Sequence, residues 1–267
     1  MDRNLLSISP ADLYAHLGTA SAPVLLDVRQ QEEFKADDRL IIGALRYAPK
    51  QVDSWSRVLP SSRSVVVYCS QGRELSQGIA NALRNAGMKA TYLDGGLSAW
   101  NQIGLPTRKR LSAGEKNWIT REHPKIDRIA CPWLVSRFIN PNAEFIYVPT
   151  DKVVSAAKEV DAVPYDIKGT EFGHVDDHCS FDAIIRIFDI KDPALDDVAT
   201  VVRGADTSRR DLAPQCEGLY AISFGLSANF PDDHEMLRHG VVIYDALYTW
   251  CRKSRAVTAG QPARVQA

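Results

Sequence analysis

The stretch "VVVYCSQGRELSQGIANALRNAG", Val65–Gly87, decides the fold of the first half of the chain. Val65, Val66, Val67 and Tyr68 form an unbroken apolar run, the pattern of a strand buried on both faces. Cys69 ends the run and Gly72 follows three residues later. Apolar residues then return at helical spacing until Gly87, which reads as a C-cap. Outward from this core, "APVLLDVR" and "ATYLDGG" are further short buried strands. "SPADLYAHLG" is a helix with Ser9 as N-cap, Pro10 at its first position and Gly18 at its stop. Strand and helix alternating in this rhythm predict a parallel sheet with flanking helices, an α/β unit.

A cysteine between a buried strand and a helix has a chemical use. The loop "CSQGRE" can curl so that its backbone N–H groups point inward, alongside the positive end of the following helix dipole. That field favours an anion at the Cys69 sulfur, so its pKa should fall and a thiolate should be present at neutral pH. Gly72 lets the loop tighten where a side chain would clash. The competing reading is a buried, inert cysteine that merely ends a strand.

Composition narrows the function classes. The chain has 267 residues, 24% of them charged, with a formal net charge of -1. That balance argues against a nucleic-acid partner and against a polybasic membrane anchor. No signal peptide is legible in "MDRNLLSISPADL", and no apolar run approaches a membrane span. Five scattered cysteines, Cys69, Cys131, Cys179, Cys216 and Cys251, with no C-x-x-C pair, point away from a disulfide framework or a zinc ribbon. The expectation is a soluble cytoplasmic protein with free thiols.

Four segments occur in order: "LLDVRQQEEF" (Leu25–Phe34), "IIGALRYAP" (Ile41–Pro49), "VVVYCSQGRELS" (Val65–Ser76) and "YLDGGLSAWNQIGLP" (Tyr92–Pro106). Together they resemble the single-domain rhodanese family of sulfurtransferases over residues 1–108. The resemblance implies that Cys69 takes a sulfane sulfur from a donor, thiosulfate or a persulfide, and passes it to a thiol or cyanide. It implies that Ser70, Gln71, Gly72, Arg73, Glu74 and Leu75 form the anion-cradling, substrate-binding loop, and that sulfur transfer requires no cofactor. Glu74 departs from the family, many of whose members carry a basic residue there. An acidic group beside the cradle repels dianionic donors, although Arg73 stands next to it. Leu75 occupies the place where a tyrosine phosphatase needs its phosphate-clamping arginine, so phosphatase activity is discounted. Asp27, Arg29 and Glu33 match family positions and read as an ion-pair network bracing a strand end. Trp100 and the Gly95–Gly96 turn read as packing and tight backbone geometry.

The second half has a different texture. The polar stretch "TRKRLSAGEKNWITREHPK" suggests a linker over 109–124, and the tail 254–267 lacks an apolar period and suggests disorder. Between them most segments carry helical periodicity. Only "AEFIYVP" and "VPYDI" read as strands, so a mainly α-helical second domain with few strands is expected over 125–253. "KIDRIACPWLVSRFINPNAEFIYVP", "EFGHVDDHCSFD", "VVRGADTSRRDLAPQCEGLYAISFGLS" and "DDHEMLRHGVVIYDALYTWCR" resemble the C-terminal domain of the chromate-resistance protein B family.

That domain offers two kinds of candidate site. "GHVDDHCSFD" gathers His174, Asp176, Asp177, His178, Cys179 and Asp182, with Asp206 and His234 further along. Imidazole with carboxylate suits a divalent zinc, iron or manganese ion, and a thiolate favours zinc. His174 and Asp206 are the first choices as ligands and Cys179 the next. The competing reading makes Asp176 and Asp177 turn residues, Asp232 a helix cap and the histidines solvated. Arg128, Arg203, Arg209 and Arg210 raise an oxyanion site, for chromate, sulfate or a sulfur oxyanion. Cys131 is either an acceptor thiol for sulfur from Cys69 or a packing residue, and Cys216 and Cys251 read as core. Two functions follow. The first is a sulfurtransferase working through a Cys69 persulfide, with a small-molecule sulfur donor and a thiol acceptor, coupled to a chromate- or oxidative-stress-linked domain. The second is a metal- or oxyanion-binding sensor in which Cys69 only reports redox state.

Overall fold

A computed structural model describes residues 6–111 and 116–258. The chain divides into two compact units. One takes in the chain up to Arg110 together with Arg137–Pro141, and the other holds the rest.

The first unit is built in chain order from β1 (Ser7–Ile8), α1 (Pro10–His16), β2 (Val24–Asp27), α2 (Gln31–Ala36), β3 (Arg39–Ile41), β4 (Ala44–Arg46) and α3 (Val52–Trp55). It continues with β5 (Val65–Tyr68), α4 (Glu74–Asn85), β6 (Ala90–Leu93), α5 (Gly96–Gln102) and β7 (Thr107–Lys109). Five strands form an all-parallel sheet in the order β1-β6-β5-β2-β4, and β3 and β7 form a separate antiparallel pair. The central strands β2 and β5 are buried at every position, as an apolar run without alternation requires. On one face Val24, Leu26, Val65 and Val67 meet Trp55, Leu59, Ile79 and Leu83. Truncating a side chain such as Leu83 to alanine would cost about 2–5 kcal/mol. Trp100, fully buried with its indole N–H on the Pro106 carbonyl, packs edge-on to Tyr14. The start of α1 is as the sequence dictates: Pro10 opens the helix and the Ser9 hydroxyl accepts from the Asp12 N–H.

Arg29 and Asp27 do brace the end of β2, as a buried pair 2.7 Å apart with Asp37 as a second carboxylate at 3.1 Å. Glu33 is not part of this network. Its carboxylate accepts from the Gln30 N–H and caps α2.

The second unit contains β8 (Asn117–Arg121), α6 (Asp127–Leu134), β9 (Glu144–Val148), α7 (Val153–Glu159) and β10 (Val163–Pro164). The helices α8 (Ser180–Ile187), α9 (Pro193–Asp206), α10 (Gln215–Asn229) and α11 (Asp233–Thr258) follow. It is mostly helical, around a three-stranded parallel sheet in the order β10-β8-β9. Two expectations need correction. The stretch read as a linker contains β8, the central strand of that sheet. Its charged ends disguise an apolar middle in which Trp118, Ile119 and Thr120 are fully buried. Likewise α11 runs on to Thr258, into the stretch read as a disordered tail. Residues 112–115 of the expected linker and 259–267 of the tail lie outside the described residues.

Aromatic residues fill this core. Trp118 lies against Tyr165 and Phe172, and Trp133 lies against Phe181, Tyr244 and Tyr248. Buried hydroxyls anchor α11: Tyr244 donates to the Ile126 carbonyl and Tyr248 to the Asp192 carboxylate, which also caps α9. Ile126 is held at φ 28°, a conformation that costs a β-branched residue energy. It immediately precedes Asp127.

Candidate functional site

Cys69 leaves the C-terminal end of β5, where a parallel sheet presents its loops to ligands. Burial pushes its thiol up. The Ser76 hydroxyl, 3.3 Å from the sulfur, and the N–H groups of Gln71, Arg73 and Ser76 outweigh that and hold the thiol below its ordinary value. Cys69 is alone in this. Burial raises the thiols of Cys131, Cys179 and Cys216, and pushes Cys251 up to about 11.

Two glycines hold the loop in shape. Gly72 has φ +64°, and a Cβ there would come within 2.7 Å of the Gly95 and Gly96 nitrogens. Gly96, at φ +58°, would drive a Cβ into the Cys69 carbonyl and the Gly72 nitrogen. The start of α5 is thereby pressed against the loop, and its Leu97 and Ser98 N–H groups donate to the Cys69 and Ser70 carbonyls at 3.0 and 2.9 Å. With those carbonyls tied back, the loop's own N–H groups are left to face the sulfur. The Gly95–Gly96 turn is thus tight backbone geometry with a chemical consequence. Gln71, Arg73 and Glu74 are exposed around the loop, and Glu74 is the first residue of α4. Ser76, in the first turn of α4, is a site residue that the sequence reading left out.

In the second unit the structure brings His174 and Asp206 together and adds two carboxylates that the sequence reading missed. His174 Nε2 lies 3.4 Å from Asp127 Oδ2, 3.2 Å from Asp166 Oδ1 and 3.3 Å from Asp206 Oδ2. Asp127, Asp166 and Asp206 come from the start of α6, the turn after β10 and the end of α9. Asp127 is the floor, almost fully buried, with the Ser180 and Phe181 N–H groups at the start of α8 on its carboxylate. Burial, with Asp206 and Asp166 adding to it, pushes the Asp127 carboxyl up to about 6 against the opposing His174. Burial also raises Asp166, but His174, Arg121 and Arg128 outweigh it and hold that carboxyl low. The carboxylates of Asp127, Asp166 and Asp206 push His174 up to about 12. Ligand atoms of Asp127, His174 and Asp206 all lie within 4.8 Å of one another, the compactness a metal ion needs.

Cys179 does not join this group. It sits at the N-cap of α8, fully buried, with its S–H on Asp182 Oδ2 at 3.4 Å and its thiol raised well above the ordinary value. The sulfur is taken up by the α8 cap, and the residue that gathers with His174 and Asp206 is Asp127 instead. Asp176 and Asp177 form the turn between Val175 and His178, with Asp176 at φ 52°. Asp232 caps α11 through the Glu235 N–H at 2.7 Å, and His234 is an exposed residue beside Tyr147. The four arginines have separate partners. Arg128 faces Asp166 at 3.2 Å, Arg203 faces Asp182, Arg209 grips Asp211 with two hydrogen bonds, and Arg210 pairs with Glu217 over the Tyr220 ring. Of these, Arg203 alone lines the cavity of about 470 Å³ that runs from Val175 and Cys179 to Thr200. Cys131 is buried inside α6, which fits packing rather than sulfur acceptance.

The fold and the two sites define a class: an α/β unit with a cysteine loop at the end of a parallel sheet, followed by a helical unit with a histidine–carboxylate cluster. The chain belongs to the ChrB C-terminal domain family, which matches residues 118–251, and it carries a rhodanese-like domain matching residues 9–103. Among curated relatives, Protein ChrB of Cupriavidus metallidurans is 29% identical over 146 residues, 54% of this chain and 44% of that protein. An uncharacterized Synechocystis protein is 33% identical over 112 residues, 40% of this chain and 59% of its own. The chain thus matches less than two thirds of the length of either relative. Solved structures similar to it include a rhodanese-related protein from Thermoplasma volcanium, 24% identical with a TM-score of 0.34, covering 38% of this chain and 96% of that one. Another is the Alr3790 protein from Anabaena sp., 32% identical with a TM-score of 0.35, covering 39% and 82%. Among the described residues no helix is long and apolar enough to cross a membrane.

Proposed function

We propose that this protein is a sulfurtransferase acting through a persulfide on Cys69. The observation that carries the reading is the setting of Cys69 at the end of β5, with the Ser76 hydroxyl 3.3 Å from its sulfur and the loop held tight against it by Gly72 and Gly96, a setting that favours the thiolate. The Cys69 thiolate attacks the sulfane sulfur of the donor. A new S–S bond forms on Cys69, and the donor's own bond to that sulfur breaks, so that thiosulfate would leave as sulfite and a persulfide as its thiolate. An acceptor thiolate or cyanide then attacks the outer sulfur, and Cys69 departs as thiolate. The inward N–H groups stabilise the negative sulfur at both stages. Arg73 and Glu74, one of each charge at the loop, suit a persulfide donor at least as well as the dianionic thiosulfate. Membership in the ChrB family supports a link between this chemistry and chromate or oxidative stress, with the second unit recognising a partner molecule. Free thiols and the absence of any disulfide support a cytoplasmic setting.

The test is a sulfur-transfer assay on the full chain with thiosulfate and with a small-molecule persulfide as donors, alongside intact-mass detection of a sulfur adduct. Wild-type protein should carry the adduct on Cys69 and turn over, and Cys69→Ser should do neither. An adduct that persists in Cys69→Ser, or a folded wild type that forms none with either donor, would overturn the assignment.

A further inference from the structure

We infer that Asp127, His174 and Asp206, with Asp166 beside them, form a site for a six-coordinate divalent cation of the manganese(II) or iron(II) class. The geometry points to a central ion. One imidazole nitrogen faces three carboxylate oxygens at 3.2 to 3.4 Å. A single N–H can be directed at only one of them. Ligands held at about 2.1 Å from a six-coordinate ion lie about 3 Å apart along the octahedral edges. The spacing seen is therefore close to that of neighbouring ligands.

Charge points the same way. Asp166 is already matched on its Oδ2 by Arg121 at 2.9 Å and Arg128 at 3.2 Å, which leaves Oδ1 toward His174. Among the described residues, His174 is the one cationic side chain within ion-pair distance of Asp127 and of Asp206. Two carboxylates thus face one imidazole, a set that two positive charges would balance. The walls are also graded. The Asp127 side chain is 1% exposed and that of His174 40%. The ion would be gripped from below and open to water or a small ligand on the histidine side. Next to it Ser180, whose N–H holds Asp127 Oδ2, has a buried hydroxyl with no protein partner.

The donor set selects the ion. It is one nitrogen with carboxylate oxygens and no sulfur, since Cys179 belongs to the α8 cap. Oxygen-rich sites suit manganese and iron(II), whereas zinc favours sulfur- and nitrogen-rich tetrahedral ones. Arg121 and Arg128 would act as positioning residues by fixing the Asp166 carboxylate.

The experiment uses the full chain. Elemental analysis of purified protein is followed by exhaustive chelation and refilling with manganese chloride, with zinc chloride in parallel, read by thermal unfolding and by manganese electron paramagnetic resonance. One manganese per chain is expected, with a lower unfolding temperature after chelation and its recovery on refilling. Asp206→Asn and His174→Gln should each weaken manganese binding at least tenfold. Asp177→Asn, in the neighbouring exposed turn, should not. The assignment is overturned if chelation and manganese leave unfolding of the wild type unchanged, since the cluster would then be an ion-pair network. It is also overturned if both ligand variants bind manganese as tightly as the wild type, or if the site takes zinc and refuses manganese. Chelation of the wild type decides the matter even where a variant fails to fold.

Discussion

In the proposed function Cys69 Sγ carries the chemistry of the first unit, and what surrounds it can be tested one group at a time. The Ser76 hydroxyl lies 3.3 Å from the sulfur of Cys69, a residue that is 6% exposed, and within 3.2 Å of the Arg73 carbonyl, so it can turn its one proton to a thiolate. Hydrogen bonds to charged groups contribute about 1.5–3 kcal/mol. Ser76→Ala should therefore slow alkylation of Cys69 at neutral pH by roughly tenfold, measured by mass-spectrometric rate profiling, while Cys69 in the wild type should be the fastest of the five cysteines. The sign of the pH effect follows from the direction of the shift. A thiol held below its ordinary value of 9.0 contributes stability that is fully present above that value and is lost as pH falls through the folded pKa. Denaturant unfolding should accordingly show the wild type gaining on Cys69→Ala as pH rises toward 9. No gain would mean that the N–H groups do not favour the thiolate. Glu74 is the other residue to change. It is exposed at the mouth of the loop, so Glu74→Arg should raise turnover with thiosulfate several-fold, and the gain should shrink with salt because exposed charges are screened within about 8 Å. The same change should cost about 0.5 kcal/mol of stability, since it puts a cation at the positive end of α4.

At the scale of elements, the helix and strand alternation of the first unit was legible because each piece carries its own signal. Ser9 and Pro10 start α1, and the run from Val65 to Tyr68 has nothing but apolar side chains. The two-residue β1 and the short β3 and β7 have no such signal, because pairing partners far along the chain define them. For β8, Lys116, Arg121 and Glu122 advertise solvent while Trp118 and Ile119 are core. The loop–turn junction makes a sharp prediction here. Gly96→Ala places a Cβ against the Cys69 carbonyl at a positive φ, so it should destabilise the unit by more than about 2 kcal/mol and slow Cys69 alkylation. Gly78→Ala, in the middle of α4 with nothing within 4 Å of the added Cβ, should stabilise by about 0.5–1 kcal/mol and leave the thiol alone. Denaturant unfolding with parallel alkylation separates the two. Equal effects would mean that the glycines matter only for helix propensity.

At the scale of the whole molecule, the histidine cluster shows where one-dimensional reading stops. His174 and Asp206 stood out by residue type, yet nothing in the sequence joins residues 127, 166, 174 and 206, which meet only when α6, α9 and the turn after β10 are folded. Asp127 was not singled out in the sequence, because its burial against the N-terminus of α8 is a tertiary fact. Cys179 drew attention by its neighbours and proved to be a cap. The two sites have separate supports. The sheet face that ends at Cys69 is built of residues from Val24 to Ala90, and the cluster is held by residues from Asp127 to Asp206. Perturbing one should therefore leave the intrinsic chemistry of the other intact. Asp206→Asn and chelation should lower the unfolding temperature of the second unit, with the alkylation rate of Cys69 changing by less than twofold. Conversely, Cys69→Ser should keep the full metal content. Among the readouts of Cys69 itself, none should fall in Asp206→Asn. If chelation instead slowed alkylation of Cys69 itself, the independence of the two sites would be refuted.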